Sequence, residues 1–442
     1  MTIQLRGCEL ADRKNAGTLR PEGYLPRVLD TRLEKLLGSF GCVEIIGPKW
    51  CGKTWTGLAH ARSVDRLDDP ATLSAAKIDA SLVFEGKSPH LIDEWQEVPE
   101  IWDAARRRVD EQGNSKGLFI LTGSSKPKSD SIHHSGTGRI ARLQMRSMSL
   151  FETGDSNGSV SLASIFNGDF RPKRRKTETA DIARWCCRGG WPSILGIDDD
   201  FALETPLEYI KSVLDVSIMS LKRSPATALK LMWALSLNLT QSVSYKVLAR
   251  DMALGDDDAM PSIPTIEAYL DLLNSLFLIE DLNGWEPPLI SKRRVRTKPK
   301  RYFADPSLPA ALLGASPTAL LRDMQTLGKL FESLCIRDLR VYLSVIPGIG
   351  NQINYYSDDK GLEVDAVIQL GDGRWGAFEI KLSDTKIDEA ASCLNRFVDK
   401  ITANKAAQVK APEFLAVLVG KGDLAYQRKD GVLVIPIATL AP

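Results

Sequence analysis

The sequence predicts an α/β protein built from about three domains, and three observations indicate this class. Its 442 residues are enough for about three domains at roughly 150 residues each. Over residues 43–125, short β-branched runs alternate with charged helical stretches such as 101–111, which is typical of a parallel sheet flanked by helices. Helical periodicity then dominates residues 181–277, and a mixed pattern of strands and helices returns from residue 331.

Composition excludes several classes of protein. Hydrophobic residues make up 43% and charged residues 26% of the chain, as in ordinary globular proteins, and no apolar run approaches the roughly 18 residues of a membrane span. The 57 basic and 56 acidic residues give a net charge of +1, so the total charge indicates no polyanionic partner. The first residues carry charges and no apolar segment, and the seven cysteines form no CxxC pair. We therefore expect a cytoplasmic protein with reduced, mostly buried cysteines.

Changes in composition predict four segments. We expect a first domain over 1–150 and a polar, basic linker over 151–180 that contains three glycines. A helical domain over 181–325 and an α/β domain over 326–442 complete the chain. Within the last domain the pattern predicts strands over 353–356, 363–370 and 375–381, then a helix over 388–402 and a final pair of strands.

The first chemical motif is a phosphate-binding loop. It follows the apolar strand CVEII, precedes a stretch that is compatible with a helix, and fits GxxxxGK[ST]. Its residues are Gly47, Pro48, Lys49, Trp50, Cys51, Gly52, Lys53 and Thr54. Backbone N–H groups would surround the β-phosphate, Lys53 would neutralise the β and γ oxygens, and the Thr54 hydroxyl would ligate Mg²⁺. The spacing therefore predicts an ATP site.

A carboxylate on a neighbouring strand should complete the metal site. Asp93 ends the run HLID and would hold Mg²⁺ through water, while Glu94 would polarise the attacking water. The run FILTG leads to Ser124, a hydroxyl that would sense the γ-phosphate. Arg139 follows a glycine-containing loop and is a candidate for stabilising charge in the transition state, in its own chain or in a neighbouring copy. The alternative for Asp93 and Glu94 is an acidic turn, and the alternative for Arg139 is an ordinary surface residue.

The order of these motifs resembles a known family. GPKWCGKT, LIDEWQ, FILTGSS, GRIARLQMRSMSLFE, GGWP and YFADPSL follow one another as in a large family of bacterial and archaeal AAA-type P-loop ATPases, whose members carry a C-terminal domain of unknown function. The resemblance extends over about residues 24–425. The chain differs from it at Ser147-Met148-Ser149, where the family usually has Pro-Leu-Ser. The resemblance implies an AAA-type ATPase.

The middle segment has the rhythm of a helix-turn-helix. Residues 244–250 and 264–273 predict two helices, and the segment up to Tyr302 would supply the strands of a wing. The tract KRRVRTKPKR lies in that wing, where a nucleic-acid backbone would meet Lys292, Arg293, Arg294, Arg296, Lys298, Lys300 and Arg301. A winged helix that docks only proteins is the alternative. A second basic tract, RPKRRK at 171–176, is interpreted as a solvated loop.

The C-terminal segment is similar to the PD-(D/E)xK nuclease core. GLEVDAVI and WGAFEIK predict a hairpin that carries Asp365, Glu379 and Lys381. By that resemblance, Asp365 and Glu379 would bind Mg²⁺, Lys381 would orient or activate water, and Glu332 would add a third carboxylate. The alternative is an ordinary hairpin whose exposed face is charged.

The sequence thus predicts an α/β fold in three parts. These are a P-loop NTPase with a parallel sheet, an all-α winged-helix-like middle domain and an α/β restriction-endonuclease-like C-terminal domain. The predicted function is Mg²⁺-dependent ATP hydrolysis near nucleic acid by a chain that self-associates when ATP is present, with nuclease activity left open. The competing interpretation is an ATP-controlled scaffold whose C-terminal domain docks a protein partner.

Overall fold

The computed structural model describes residues 17–125, 136–197, 199–219, 221–253, 260–286, 298–403 and 409–442. The chain divides into two compact units, residues 1–145 and 146–442. No helix in the described ranges is long and apolar enough to cross a membrane.

The first unit is a parallel sheet between helices. Its helices are α1 (Asp30–Leu37), α2 (Lys53–His60), α3 (Pro70–Ile78) and α4 (Glu100–Glu111), and its strands are β1 (Cys42–Ile46), β2 (Ser63–Arg66), β3 (His90–Asp93), β4 (Phe119–Gly123) and β5 (Ile140–Gln144). Strands β1 and β4 are buried along their whole length, as expected of central parallel strands with helices on both faces.

The strand order positions the chemistry of this unit. The sheet runs β2-β3-β4-β1-β5, and all its strands are parallel. The carboxyl ends of β1, β3 and β4 therefore meet at one edge. Sequence analysis expected the Asp93 strand beside the loop strand, whereas β4 lies between them.

The second unit is larger and mixes helices with a seven-stranded sheet. Its helices are α5 (Leu162–Phe166), α6 (Thr179–Arg188), α7 (Asp199–Ser212), α8 (Pro225–Leu237), α9 (Tyr245–Met252), α10 (Ile263–Ser275), α11 (Ser307–Leu312), α12 (Pro317–Leu320), α13 (Met324–Leu343) and α14 (Ile387–Ala403). Its strands are β6 (Val160–Ser161), β7 (Lys173–Thr177), β8 (Ile279–Leu282), β9 (Lys300–Phe303), β10 (Gln352–Ser357), β11 (Glu363–Gln369), β12 (Trp375–Lys381), β13 (Phe414–Val419), β14 (Gly422–Gln427), β15 (Leu433–Pro436) and β16 (Leu440–Ala441).

The expected linker is part of the second unit. The sheet order is β10-β11-β12-β13-β15-β14-β7, so the strand Lys173–Thr177 forms one end of the sheet. Strand β6 also pairs in parallel with β16, near the end of the chain. The 151–180 segment therefore differs from the expected linker, because its strands are hydrogen-bonded to strands more than 240 residues later in the sequence.

The described part of residues 225–303 contains three helices, α8 to α10, and then the antiparallel hairpin β8–β9. Ser224, Ser244 and Ser262 each cap the helix that follows by accepting a hydrogen bond from a backbone N–H group. This order is compatible with the predicted helix-turn-helix and wing, and the winged-helix assignment stays a prediction.

A buried polar network explains the motifs GGWP and YFADPSL. Asp305 is fully buried and accepts hydrogen bonds from Gly190 N at 3.0 Å, Ser307 Oγ at 2.6 Å and Arg337 Nη1 at 3.0 Å. Burial would raise the pKa of Asp305, but Arg337 and these donors hold it below its usual value. A Cβ on Gly190 would lie 2.0 Å from Met148 O, so only glycine fits there. These motif residues therefore stabilise the fold.

Asp305→Asn is expected to destabilise the second unit by about 1–3 kcal/mol, because the buried Arg337 loses one of its two carboxylate partners and retains Asp338 at 2.7 Å. Urea unfolding followed by circular dichroism measures the change. Asp359→Asn changes the same charge at an exposed position and is the control. Equal unfolding midpoints for the two variants would contradict a stabilising role for the network.

Candidate nucleotide-binding site

The phosphate-binding loop lies between β1 and the first residue of α2. Gly52 precedes the helix with a φ of 100°, a conformation that favours glycine. A Cβ on Gly47 would lie 2.2 Å from Met145 O, so the loop backbone packs directly against the chain that follows β5. The first N–H groups of α2 have no partner within the helix, which makes this end suited to an anion.

The Lys53 side chain is buried and points toward the backbone of the loop. Its Nζ donates to Gly47 O at 3.0 Å and to Pro48 O at 2.7 Å, and only 5% of the residue is exposed. Among the described residues its partners are neutral carbonyl oxygens, which leave a buried amine without an anionic partner. The amine is placed to meet the oxygens of a phosphate.

Asp93 and Thr54 meet although 39 residues separate them. Thr54 Oγ1 lies 2.9 Å from Asp93 Oδ1 and 3.1 Å from Oδ2, and Thr122 Oγ1 also donates to Asp93. Burial raises the pKa of the Asp93 carboxyl, and the two threonine hydroxyls act in the opposite direction. The predicted metal ligands, Thr54 and Asp93, are therefore brought together.

Glu94 and Ser124 form the second half of this site. Ser124 Oγ donates to Glu94 Oε2 at 2.9 Å, and Gln96 Nε2 donates to the same carboxylate oxygen. Glu94 has a φ of 57°, in the left-handed region that costs a non-glycine residue of order 1–3 kcal/mol. Strained residues of this kind cluster at functional sites. The loop, Asp93, Glu94 and Ser124 thus share the edge formed by the carboxyl ends of the strands.

Sequence analysis missed residues that support this site. Arg27 is buried and donates from Nη1 to Cys51 O at 2.7 Å, and this hydrogen bond holds the loop backbone in place at Cys51. The Tyr24 hydroxyl lies 2.7 Å from Asp30 Oδ1 and 3.1 Å from Thr56 Oγ1 on α2. No local motif marks them, although Tyr24 is where the family resemblance begins.

The structure does not bring Arg139 to the phosphate loop of its own chain. Arg139 immediately precedes β5, whose residue Ile140 pairs with Cys42 at the start of β1, so it lies at the opposite edge of the sheet from the loop. Its Nε lies 2.8 Å from Asp110 Oδ1, in a surface ion pair. Arg139 is distant from the loop because β1 and β5 are parallel. The loop follows the carboxyl end of β1, whereas Arg139 precedes the amino end of β5. A role at a neighbouring copy stays a prediction.

The C-terminal hairpin brings Asp365, Glu379 and Lys381 together. Strands β11 and β12 are antiparallel, with Ala366 opposite Phe378. Lys381 Nζ lies 2.6 Å from Glu379 Oε2 and 3.6 Å from Asp365 Oδ2. Burial and the neighbouring Asp365 raise the pKa of Glu379 to about 8. Burial alone would lower the pKa of Lys381, but the two carboxylates hold it above its usual value.

Glu332 belongs to a neighbouring set of contacts. Tyr302 donates to Glu332 Oε1 at 2.7 Å, and Lys300 Nζ lies 3.5 Å from the same oxygen. Burial and Asp365 raise the pKa of Glu332 to about 7. Within the described ranges no three His, Cys, Asp or Glu side chains are arranged to hold a metal ion. The expected set of three carboxylates is therefore not assembled, because Glu332 is engaged by Tyr302 and Lys300.

The structure corrects the predicted nucleic-acid contacts at Lys300 and Arg301. Lys300 is 2% exposed and lies 2.5 Å from Glu363 Oε1, while Arg301 pairs with Asp281 at 3.8 Å. The strand β9 begins at Lys300, so these side chains turn into the fold instead of projecting from a loop. Lys298 is exposed. Lys292, Arg293, Arg294 and Arg296 lie outside the described residues.

Comparison with family models divides the chain into three matched stretches. Residues 39–154 match an AAA domain. Residues 179–319 and 327–440 match two different domains of unknown function. The AAA match, together with the parallel sheet and its phosphate loop, supports an AAA-type P-loop ATPase domain that uses a nucleotide.

Two of the solved structures that match this chain do so at low identity and with TM-scores below 0.5. The Walker-type ATPase PABY2304 of Pyrococcus abyssi is 14% identical, with a TM-score of 0.43 over 67% of this chain and 98% of that one. The ORC2 protein of Aeropyrum pernix, solved as ADPNP and ADP complexes, is 12% identical, with a TM-score of 0.34 over 69% and 98% of the two chains. Among curated proteins, none matches this chain.

Proposed function

We propose that the protein hydrolyses ATP with Mg²⁺ at the edge formed by the carboxyl ends of its parallel strands. The observation that carries this proposal is the convergence of Thr54, Asp93, Glu94 and Ser124 beside a buried Lys53. The start of helix α2 and the carboxyl ends of strands β3 and β4 meet there, and each of these residues has a chemical type that phosphoryl transfer requires.

Each side chain has a distinct task in this proposal. Lys53 neutralises the β and γ oxygens, and the backbone N–H groups of the loop hold the β-phosphate. Glu94 positions and polarises the attacking water, since its carboxylate already accepts hydrogen bonds from Ser124 and Gln96. Ser124 would contact the γ-phosphate, and its hydrogen bond to Glu94 would couple binding of that phosphate to the position of the Glu94 carboxylate.

The Thr54 and Asp93 oxygens fit Mg²⁺. A hydroxyl and a carboxylate converge within 3.1 Å of each other, and Mg²⁺ in nucleotide sites is usually held by one or two such groups together with waters and phosphate oxygens. Magnesium would neutralise the charge of the phosphates there.

Asp93→Asn tests this metal assignment. It removes the negative charge, so we expect hydrolysis to need roughly 10–100 times more Mg²⁺, a range typical of groups that support a bound metal. Phosphate release measured across a Mg²⁺ titration, with an EDTA-treated sample as the zero point, gives the answer. Asp359→Asn, at an exposed position in the second unit, is the control. An unchanged Mg²⁺ dependence in Asp93→Asn would remove Asp93 from the site.

A second candidate function is phosphodiester hydrolysis at the C-terminal hairpin. The contacts of Lys381 with Asp365 and Glu379 favour it, because a buried carboxylate with a raised pKa, here that of Glu379, beside a lysine is typical of active sites. Two carboxylates are enough for Mg²⁺ or Mn²⁺ when waters and a substrate phosphate complete the coordination. A non-catalytic platform for a protein partner is the alternative for this domain.

Asp365→Ala distinguishes these two functions of the hairpin. In a Lys53→Ala background, which disables the ATP site, we expect Mn²⁺ to raise the melting temperature of the parent protein and to leave the Asp365→Ala variant unchanged. Cleavage of DNA or RNA should be lost in the same variant. Equal Mn²⁺ shifts in both proteins and no cleavage of either nucleic acid would favour the platform.

A further inference from the structure

The strand β7 carries a dense array of basic side chains. Its sequence is Lys-Arg-Arg-Lys-Thr, and the four basic residues, together with Arg171 just before them, are all exposed. Sequence analysis interpreted this tract as a solvated loop, whereas it forms the last strand of the seven-stranded sheet. Because the tract forms a strand, the positions of its charged side chains along the sheet edge are fixed, whereas they would vary in a loop.

Most of this charge has no acidic partner. Lys176 pairs with Glu178 at 2.8 Å, and Arg171 lies 3.7 Å from Asp169 with 82% of its side chain exposed. Arg175 donates to the carbonyl oxygen of Asp155 at 3.2 Å, a neutral group. Within the described ranges Lys173 and Arg174 contact no carboxylate. Exposed ion pairs of this kind contribute little energy and exchange readily for another anion.

The density of the charges suits a nucleic-acid backbone. Residues 171–176 carry five basic side chains in six positions, a charge density comparable to that of one strand of B-form DNA, which has a phosphate about every 3.4 Å along its axis. Adjacent strand residues point to opposite sides, so Lys173 and Arg174 flank the strand, and the pairing of β7 with β14 shifts by one residue between Arg174 and Thr177. Arginine forks also suit phosphate oxygens in particular.

Protection of a sheet edge is the competing explanation. Charged residues, lysine above all, prevent edge strands from pairing with other chains. One or two charges on β7 would serve that purpose. Four in succession, continued by Arg171, exceed it.

We propose that β7 binds the phosphate backbone of a nucleic acid, independently of sequence. Lys173, Arg174 and Arg175 contact phosphates from the two sides of the strand, and Lys176 does so when its bond to Glu178 exchanges for a phosphate. This partner is additional to the proposed ATPase, because β7 and its binding do not require a nucleotide at Lys53.

The test compares two full-length variants with the same loss of charge. The first replaces Lys173, Arg174, Arg175 and Lys176 by glutamine. The matched control replaces four exposed basic residues elsewhere in the second unit, Arg322, Lys360, Arg396 and Lys410. Fluorescence anisotropy with a labelled duplex of 30 base pairs, at 50 to 200 mM salt and without nucleotide, gives the observed binding constant. ATP hydrolysis and circular dichroism are recorded for both variants to show that they fold.

The expected result is a shallower dependence of log Kobs on log salt in the first variant only. Each lost phosphate contact reduces the slope by about 0.9, so three to four contacts reduce it by about 2.7–3.6. Equal slopes in the two variants, or no binding by the wild type, overturn the proposal in favour of edge protection. Loss of binding to vesicles that contain phosphatidylserine, with duplex binding unchanged, overturns it in favour of a membrane surface. Failure of ATP hydrolysis in the wild type would reject the proposed function and leave this result unaffected.

Discussion

Lys53→Ala is expected to abolish ATP binding at physiological nucleotide concentrations. The Lys53 ammonium is buried, and its partners among the described residues are the carbonyl oxygens of Gly47 and Pro48, so a phosphate group would supply a negative partner. Truncating one side of a buried charged hydrogen bond typically costs 2–5 kcal/mol, which corresponds to an affinity lower by roughly 30-fold to several thousand-fold. Isothermal titration calorimetry with ATP measures this loss.

Lys77→Ala is the matched control for Lys53→Ala. It removes the same side chain from an exposed position on α3 in the same unit and should leave ATP affinity unchanged. ATP affinity equal to wild type in Lys53→Ala would show that the loop does not bind phosphate through this residue.

Glu94→Gln is expected to retain ATP and to lower the rate of hydrolysis by roughly 10²–10⁴-fold, the usual contribution of a general base. The amide keeps the size of the side chain and removes the negative charge that polarises water. Thr54 and Asp93, which would hold Mg²⁺, do not depend on it. Phosphate release is measured under saturating ATP, and the ATP affinity is measured separately, so that a loss of hydrolysis is distinguished from a loss of binding.

Glu97→Gln makes the same substitution three residues later, at an exposed position. It should hydrolyse ATP at the wild-type rate. If Glu94→Gln also retained that rate, another group would have to activate the water, and Ser124 and Gln96 would have no catalytic partner.

The nucleotide site could be predicted because its motifs are local. The spacing from Gly47 to Thr54 and the pair Asp93-Glu94 each lie within a few residues, and each follows an apolar run that ends at the same edge of a parallel sheet. The position of Arg139 could not be predicted in this way. Its distance from the loop depends on which end of β5 it occupies, which only the pairing with β1 decides.

The basic tracts show a second limit of the sequence. Charge runs have no periodicity, so neither the strand at Lys173–Thr177 nor the burial of Lys300 is visible from composition. Lys300 is buried because Glu332 and Glu363, which are distant in sequence, surround its ammonium. The network of Asp305, Arg337 and Gly190 was missed for the same reason, since its members are scattered over more than 140 residues.

Turnover of ATP by the wild-type protein tests the central claim most directly. Phosphate release is followed with excess ATP and Mg²⁺, with Lys53→Ala as the baseline prepared in the same way. The site geometry predicts many turnovers by the wild type, none above background by Lys53→Ala, and loss of turnover when EDTA removes Mg²⁺. A wild-type protein that binds ATP with Mg²⁺ yet releases no more phosphate than Lys53→Ala would contradict the assignment of this chain as an ATPase.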